Sequence, residues 1–250
     1  MKVIVAVFLF ILIVYQAIGQ GSNELPRRGI CGDDVTRQRI LTGNDQLVAI
    51  EFPWLALLQL RPLNGGDLVP VCSGSLINQR YVLTAAHCVM RSEIGTRYRY
   101  SDNIALIRLK SDVIYSENIK PICLPSNGGQ TRLHNTYFLT TAGWGLTLNN
   151  SRGTTKQKAL ASFWDVDRCP SIYLKINFVV HPLAICAQGH NMSAGCIVDG
   201  GGPLMAFHHG VWVLHGIMSY GVRVCVTMNW PDVFTNVGEY DQWIMEKMRP

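Results

Sequence analysis

Three segments of the chain carry residue types that take part in nucleophilic catalysis. His87 lies in the run Ala-Ala-His-Cys, Asn103 begins a short apolar run, and residues 196–203 read Cys-Ile-Val-Asp-Gly-Gly-Gly-Pro. Covalent catalysis needs a hydroxyl or thiol nucleophile, a base that takes its proton, and a group that orients the base. A histidine and an amide are candidates for the last two roles. Gly200, inside the glycine run, has no side chain with which to attack.

Further motifs accompany these segments, in an order that is typical of one protein family. They stand at residues 52–54, 72–77, 81–88, 104–109, 121–125, 142–145, 219–221, 230–231 and 234–244. On these motifs the chain resembles the trypsin-like serine proteases, and most of all the arthropod clip-domain proteases and their inactive homologues, without the clip module. The resemblance covers nearly everything after residue 30. It implies an all-β, two-barrel fold with one C-terminal helix.

The resemblance assigns a place to each member of the catalytic triad. His87 matches the general base, Asn103 stands at the aspartate position, and Gly200 stands at the serine position. Without a hydroxyl the covalent acyl-enzyme cannot form. An amide at the aspartate position favours the wrong imidazole tautomer, a replacement that costs trypsin-type enzymes about 10⁴-fold. One alternative stays open, since a local bulge would bring Asp102 to His87 instead of Asn103.

The spacing of the triad positions departs from the family template. His87 and Asn103 are 16 residues apart, whereas the template separates its histidine and aspartate by roughly 45 residues. About 29 residues are therefore missing from the first barrel, which we expect to lose about two strands. From Asn103 to Gly200 the spacing is close to the template's roughly 93 residues, so we expect an intact second barrel. A skipped exon or a faulty gene model is the alternative explanation of the gap.

The activation site of the family also has a counterpart. Arg39-Ile40 matches the cleavage site, and the resemblance implies that the new amino group of Ile40 folds inward and pairs with Asp199. A buried carboxylate needs such a partner, because desolvation of an unpaired charge costs several kcal/mol. Leu41-Thr-Gly43 follows Ile40 where Val-Gly-Gly is usual, which is a departure from the family pattern.

The substrate pocket is altered at its floor. Ala194 occupies the position at which trypsin has an aspartate, while the walls include Ser219 and Gly221. Asp232, at the far wall by resemblance, is a candidate replacement carboxylate for a basic side chain. The favoured interpretation is plainer and places Asp232 in a solvated turn. The resemblance places the oxyanion hole at the backbone N–H groups of the nucleophile position and of a glycine two residues before it. Val198 stands in place of that glycine, and a β-branched residue restricts the loop there.

The N-terminus has the pattern of a secretory leader. An apolar run at residues 3–17 follows Lys2 and ends in small residues. A membrane anchor is the alternative, although the run is shorter than the ~18 apolar residues a span needs. We expect a signal peptide at 1–19, a light chain at 20–39 and the protease-like domain at 40–250.

Eight cysteines in a secreted chain indicate disulfides, although their count leaves the pairing open. The resemblance implies four pairs: Cys31–Cys123, Cys72–Cys88, Cys169–Cys186 and Cys196–Cys225. No metal site or cofactor is expected, since the sequence contains neither Cys-x-x-Cys nor His-x₃-His. Asn149 and Asn191 begin glycosylation sequons.

Apolar alternation predicts strands and one helix. Strands are expected at residues 54–60, 74–77, 81–84, 104–109, 136–142 and 211–218. A capping residue, Asn236, precedes apolar residues at helical spacing up to Met248, which predicts the terminal helix.

Together these features favour a secreted, non-catalytic serine protease homologue that regulates an extracellular, innate immune proteolytic cascade. The expected partners are proteases, zymogens or inhibitors, with neither nucleic acid nor a membrane anchor. The net charge of +5 is mild and favours a solvated basic surface over a polyanion site. The alternatives are a trypsin-like endopeptidase and a vestigial or mis-spliced product.

Overall fold

A computed structural model of the protein describes residues 23–33, 51–90, 102–128, 133, 138–145, 156–165, 167–189, 199–221 and 230–249. Several predicted features lie outside these ranges and stay predictions. They are the signal peptide, the Arg39-Ile40 cleavage site, Ala194, Val198, the Cys196–Cys225 pair, and the sequons at Asn149 and Asn191.

The N-terminal half forms a four-stranded antiparallel sheet in the order β1-β2-β3-β4. The strands are β1 (Leu55–Leu60), β2 (Val69–Leu76), β3 (Tyr81–Thr84) and β4 (Ala105–Arg108). The apolar and β-branched residues of β3 are all buried, as expected for a central strand. In the described residues this half is an open sheet. Residues 34–50 and 91–101 lie outside the described ranges, so the expected loss of about two strands stays a prediction.

The C-terminal half is a closed six-stranded barrel in the order β10-β7-β6-β5-β8-β9. Its strands are β5 (Leu139–Gly143), β6 (Gln157–Phe163), β7 (Ile185–Gly189), β8 (Pro203–His208), β9 (Val211–Tyr220) and β10 (Asp232–Asn236). Closure satisfies the backbone groups that an open sheet would leave at its edges. The prediction of an intact second barrel is therefore confirmed.

The helices in the described part of the chain are short. They are α1 (Pro125–Gly128), α2 (Arg168–Leu174) and α3 (Asp241–Lys247). A 3₁₀ turn, Val237–Tyr240, leads into α3, and the Asn236 side chain accepts a hydrogen bond from the Gly238 amide at 3.2 Å. The predicted C-terminal helix is thus present, with its cap on the 3₁₀ turn. None of the described helices is long and apolar enough to span a membrane.

One hydrophobic core joins the two halves. Trp54 from the sheet, Met205 and Leu214 from the barrel, and Ile244 from α3 belong to the same buried cluster. The Trp54 indole donates a hydrogen bond to the Met205 sulfur at 3.1 Å, so the buried N–H has a partner. This shared core fixes the loops of the two halves relative to each other.

Three disulfides tie the described residues together. Cys31 is bonded to Cys123, Cys72 to Cys88, and Cys169 to Cys186, as the resemblance implies. The first bond joins the segment before the cleavage site to the domain. The second links β2 to the 3₁₀ turn that carries His87.

Candidate functional site

His87 is held at the junction of the two halves. It lies in the 3₁₀ turn Ala86–Cys88, which directly follows β3 and is bonded to β2 through Cys88. The backbone amide of His87 donates a hydrogen bond to Oδ1 of Asn103 at 3.1 Å. These restraints fix the direction in which the imidazole points.

Asn103 contacts the inner nitrogen of that imidazole. It is buried, and its Nδ2 lies 2.9 Å from His87 Nδ1 and 2.7 Å from the Ser219 hydroxyl oxygen. The orientation of the amide follows from its other partners, because Oδ1 receives the His87 N–H and Nδ2 approaches the Ser219 carbonyl. Asn103 therefore stands at the orienting position, as predicted.

This amide orientation determines the imidazole tautomer. Nδ2 of Asn103, which can only donate, lies 2.9 Å from His87 Nδ1, and the acceptor Oδ1 lies farther away at 3.3 Å. The shorter contact favours the tautomer in which Nδ1 accepts and the ring proton is on Nε2. A general base needs a free lone pair on Nε2, where the nucleophile's proton arrives. Burial also lowers the pKa of His87, an effect that the hydrogen bond from Asn103 opposes. The neutral ring thus presents a donor where a base requires an acceptor.

Asp102 does not take the orienting role. Its carboxylate accepts a hydrogen bond from the Tyr240 hydroxyl at 2.6 Å, at the start of the C-terminal helical segment. Its backbone has φ of 59°, a conformation that aspartate tolerates better than most residues. The alternative in which a bulge returns Asp102 to His87 is wrong, because the adjacent residue, Asn103, fills that place.

Gly200 faces the other nitrogen of the imidazole. A Cβ built on Gly200 would overlap His87 Nε2 and lie 3.3 Å from the Cys72 sulfur. The Gly200 carbonyl accepts a hydrogen bond from the Ser73 amide at 2.9 Å, which fixes the loop against β2. The ring of His87 therefore fills the space that a serine side chain would need.

Asp199 is buried beside this loop and has several hydrogen-bond donors. Its Oδ2 accepts from the Ser73 hydroxyl at 3.0 Å and from the Trp144 and Gly145 amides at 2.5 and 3.0 Å. These donors compensate for the desolvation of the carboxylate. The predicted ion pair with Ile40 lies outside the described residues and stays a prediction. Ser73 is a site residue that was not predicted. Its position next to Cys72 is the one sequence feature that points to it.

The prediction for Asp232, at the pocket wall, is wrong. Asp232 is not in a solvated turn, because it is half-buried at the start of β10 and its carboxylate faces Gly221. A Cβ on Gly221 would overlap the Asp232 Oδ1. Burial raises the pKa of Asp232 to about 7. Ser219, on the same wall, is engaged by Asn103 through its hydroxyl.

One group of potential metal ligands lies within the described part of the site. The ligand atoms of Cys72, His87 and Cys88 are within 4.8 Å of one another. Metal binding by cysteine requires a thiolate, and both sulfurs are in a disulfide. The expectation that the chain uses neither metal nor cofactor stays a prediction.

Comparison with known proteins identifies the family. The family model described as Trypsin matches residues 41–100 and 93–244, which together span most of the chain. The chain belongs to the trypsin family. The two matched parts meet at residues 93–100, within the interval between His87 and Asn103 from which about 29 residues are predicted to be missing.

Relatives of this trypsin-family chain include insect proteases. It is 30% identical to the Spaetzle-processing enzyme of Drosophila melanogaster, over 94% of this chain and 72% of the relative. It is 31% identical to CLIP domain-containing serine protease B4 of Anopheles gambiae, over 92% and 75%. It is also 31% identical to phenoloxidase-activating factor 3 of Holotrichia diomphalia, over 91% and 77%. The first alignment spans 290 positions, so that relative has residues which this chain lacks.

A solved structure supports the fold. The Drosophila Grass clip serine protease of the Toll pathway matches with a TM-score of 0.64 and 27% identity, over 80% of this chain and 70% of that chain. The resemblance to clip-domain serine proteases is thereby confirmed, and so is the all-β trypsin-like fold with a C-terminal helix.

Proposed function

We propose that this protein is a secreted serine protease homologue without peptidase activity, which regulates an extracellular proteolytic cascade by binding other proteins. The observation that carries the proposal is the contact between His87 and Gly200. Gly200 has no oxygen for an acyl-enzyme, and the imidazole fills the volume of the missing side chain. A water molecule as alternative nucleophile would still need a base, and Nε2 carries the ring proton.

The wall of the former substrate site supports a binding role. β9 pairs with β8 as far as Ile217, and Met218 exchanges backbone hydrogen bonds with the 201–202 segment. Residues 219–221 lie beyond that pairing, and no described strand covers them on this side. An extended peptide can add to such an edge through main-chain hydrogen bonds. Because the nucleophile is absent, a peptide that adds to residues 219–221 would be bound and not cleaved.

The relatives indicate the kind of process involved. Their names refer to Spaetzle processing, phenoloxidase activation and the Toll pathway. We infer that this chain works in a cascade of that kind, with an active protease, its zymogen or an inhibitor as partner. Secretion fits this role and rests on the apolar leader at residues 3–17.

A reconstituted cascade tests the proposal. The purified chain, cut and uncut after Arg39, is added to extracellular fluid in which phenoloxidase activation is followed, and the proteins retained on the immobilised chain are identified. We expect a changed output and retention of a protease, zymogen or inhibitor. Gly221→Asp, which blocks the wall, should remove both effects, whereas Asn118→Asp, the same charge change at an exposed turn, should keep them. No retention and no change with either form would refute the proposal.

A further inference from the structure

A groove of about 410 Å³ lies beside α2, the helix between β6 and β7. Its lining residues are Arg168, Ser171, Ile172, Lys175 and Trp230. The three that follow Arg168 along the helix are three, four and seven positions on, and Lys175 keeps helical backbone angles directly after α2 ends. These four residues therefore share one face of the helix, and Trp230, shortly before β10, completes the lining. This α2 groove, defined by the five residues, has the volume of a small ligand pocket.

The α2 groove combines an apolar surface with positive charge. Ile172 and Trp230 are half-buried, and the indole ring of Trp230 offers a surface on which another aromatic ring can pack. Arg168 and Lys175 are exposed, and both are cations. The Ser171 hydroxyl donates to a backbone carbonyl of the preceding turn at 3.0 Å, so it is already used within the helical segment. The ligand chemistry that matches is therefore an aromatic group flanked by anions.

The two cations of the groove are open to an anionic ligand. In the described part of the chain, neither Arg168 nor Lys175 is in an ion pair. The carboxylate of Asp165 accepts instead from the backbone amides of Asp167 and Arg168, at 2.8 and 3.3 Å. The Arg168 guanidinium lies 5.5 Å from the ring centroid of Trp164, a cation–π contact that restrains it. Stacking uses the face of the guanidinium, so its N–H groups remain available to a carboxylate.

An aromatic cluster connects the α2 groove to the 219–221 edge. Tyr173 of α2 packs edge to face against Tyr220, with ring centroids 5.3 Å apart, and against Trp230, with ring centroids 5.6 Å apart. The rings of Tyr220 and Trp230 are thus no more than about 11 Å apart, a distance that about four residues of extended chain span. A polypeptide bound at the edge would therefore reach the groove with its next residues.

We propose that the α2 groove binds an acidic segment of the partner polypeptide. An aromatic side chain of that segment packs on Ile172 and Trp230, and neighbouring carboxylates pair with Arg168 and Lys175. The inference rests on the proposed function, since it names the chemistry of the partner beside the 219–221 edge. Charge complementarity of this kind selects among partners and speeds their association.

Two synthetic polypeptides test the chemistry of the groove. One is a copolymer of glutamate and tyrosine, and the other is polyglutamate of the same length. Fluorescence anisotropy with the full secreted chain, at about 0.15 M salt, should show that the copolymer binds at least about threefold more tightly, because its rings pack on Trp230. No binding of the copolymer, or equal affinities, would overturn the inference. This comparison uses the wild-type protein and does not depend on the folding of any variant.

Matched double variants assign the binding to the groove. Arg168→Gln combined with Lys175→Gln should weaken copolymer binding at least about tenfold, because both cations that pair with carboxylates are lost. Arg108→Gln combined with Lys110→Gln, at and after the end of β4, removes the same charge from exposed positions and should leave the affinity within about twofold. Equal losses in the two double variants would contradict the assignment, since they would show attraction by net charge alone.

Heparin tests the other class of anion. It is a polyanion without aromatic groups, and its affinity should be no more sensitive to the change at Arg168 and Lys175 than that of polyglutamate. If heparin binding depends on these two residues and copolymer binding does not, the groove is a glycan site and the inference is wrong.

The outcome is separable from that of the proposed function. If the copolymer binds equally well to both double variants while the chain still alters the cascade, the α2 groove is wrong and the regulatory role stands. If copolymer binding depends on Arg168 and Lys175 but the chain retains no partner and changes no cascade output, the groove stands and the regulatory role is wrong.

Discussion

The imidazole of His87 lies where the side chain of residue 200 would be. A Cβ on Gly200 would overlap Nε2 of His87 and come within 3.2 Å of its Cε1. The loss of the nucleophile and the position of the base are therefore linked in space. Restoring one residue does not restore the geometry, because the histidine has to move before a serine can fit.

Gly200→Ser alone should not produce trypsin-like turnover. The new side chain would collide with His87, and the ring would still carry its proton on Nε2 through the Asn103 contact. The measurement is hydrolysis of arginine and lysine ester substrates by the variant after cleavage at Arg39. Asn103→Asp added to Gly200→Ser should exceed the single variant, since the amide costs trypsin-type enzymes about 10⁴-fold. Rapid hydrolysis by the single variant would show that the Asn103 contact is unimportant.

Asn103→Asp should raise the pKa of His87. A carboxylate beside Nδ1 favours the imidazolium form and opposes the burial that lowers the pKa in the wild type. We expect an increase of about one unit or more, followed by NMR of the ring protons during a pH titration. Asp102→Asn is the matched control, because Asp102 faces Tyr240 and should leave the His87 titration unchanged. If the pKa of His87 changed in Asp102→Asn and not in Asn103→Asp, Asp102 and not Asn103 would be the residue that orients the imidazole.

Acid should destabilise the barrel through His215. This residue is 2% exposed in β9, and burial together with the charge of His208 lowers its pKa to about 4. Since the unfolded value is about 6.5, the unfolded chain binds the extra proton between these values, and the free energy of unfolding falls as the pH drops. Relative to His215→Gln, the wild type should lose about 3 kcal/mol between pH of about 7 and about 4.

Urea unfolding of these proteins across that pH range gives the comparison for His215. Exposed His209, mutated to Gln, serves as the control and should follow the wild-type curve. Parallel curves for the wild type and His215→Gln would contradict the expected proton linkage.

Cleavage after Arg39 should leave two chains joined by a disulfide. Cys31 lies before the cleavage site and is bonded to Cys123 in the domain. Limited trypsin digestion should give a heavy chain that begins at Ile40, with the light chain released only after reduction. Mass spectrometry with and without reductant measures this. Cys123→Ser should release the light chain without reductant, and release from the wild type under the same conditions would contradict the bond.

Much of the site could be predicted because it depends on short motifs. The His87 turn, the Asn103 position and Gly200 follow from local sequence, and β3 has its predicted bounds because Tyr81-Val-Leu-Thr84 is buried throughout. The contact of His87 with Gly200 could not be predicted, since it depends on how two distant segments pack across the shared core. The pairing of Asp102 with Tyr240 is likewise a contact between residues far apart in sequence.

Several barrel strands escape prediction for a different reason. In β6 the residues that face inward are Ala159 and Ala161, while Leu160 points outward with 57% of its surface exposed. Hydrophobicity along such a strand does not alternate in the usual sense, because small residues fill a narrow barrel interior. β10 was missed because Asp232 begins it, and aspartate is depleted in strands. Its burial next to Gly221 is a tertiary effect.

Reaction with a fluorophosphonate measures the central claim most directly. Such a probe bonds covalently to an activated serine oxygen, and Gly200 has none. The protein cut after Arg39 should remain unlabelled under conditions in which an active relative reacts fully. Covalent labelling that His87→Ala abolishes would contradict the account, because it would show a nucleophile activated by this histidine.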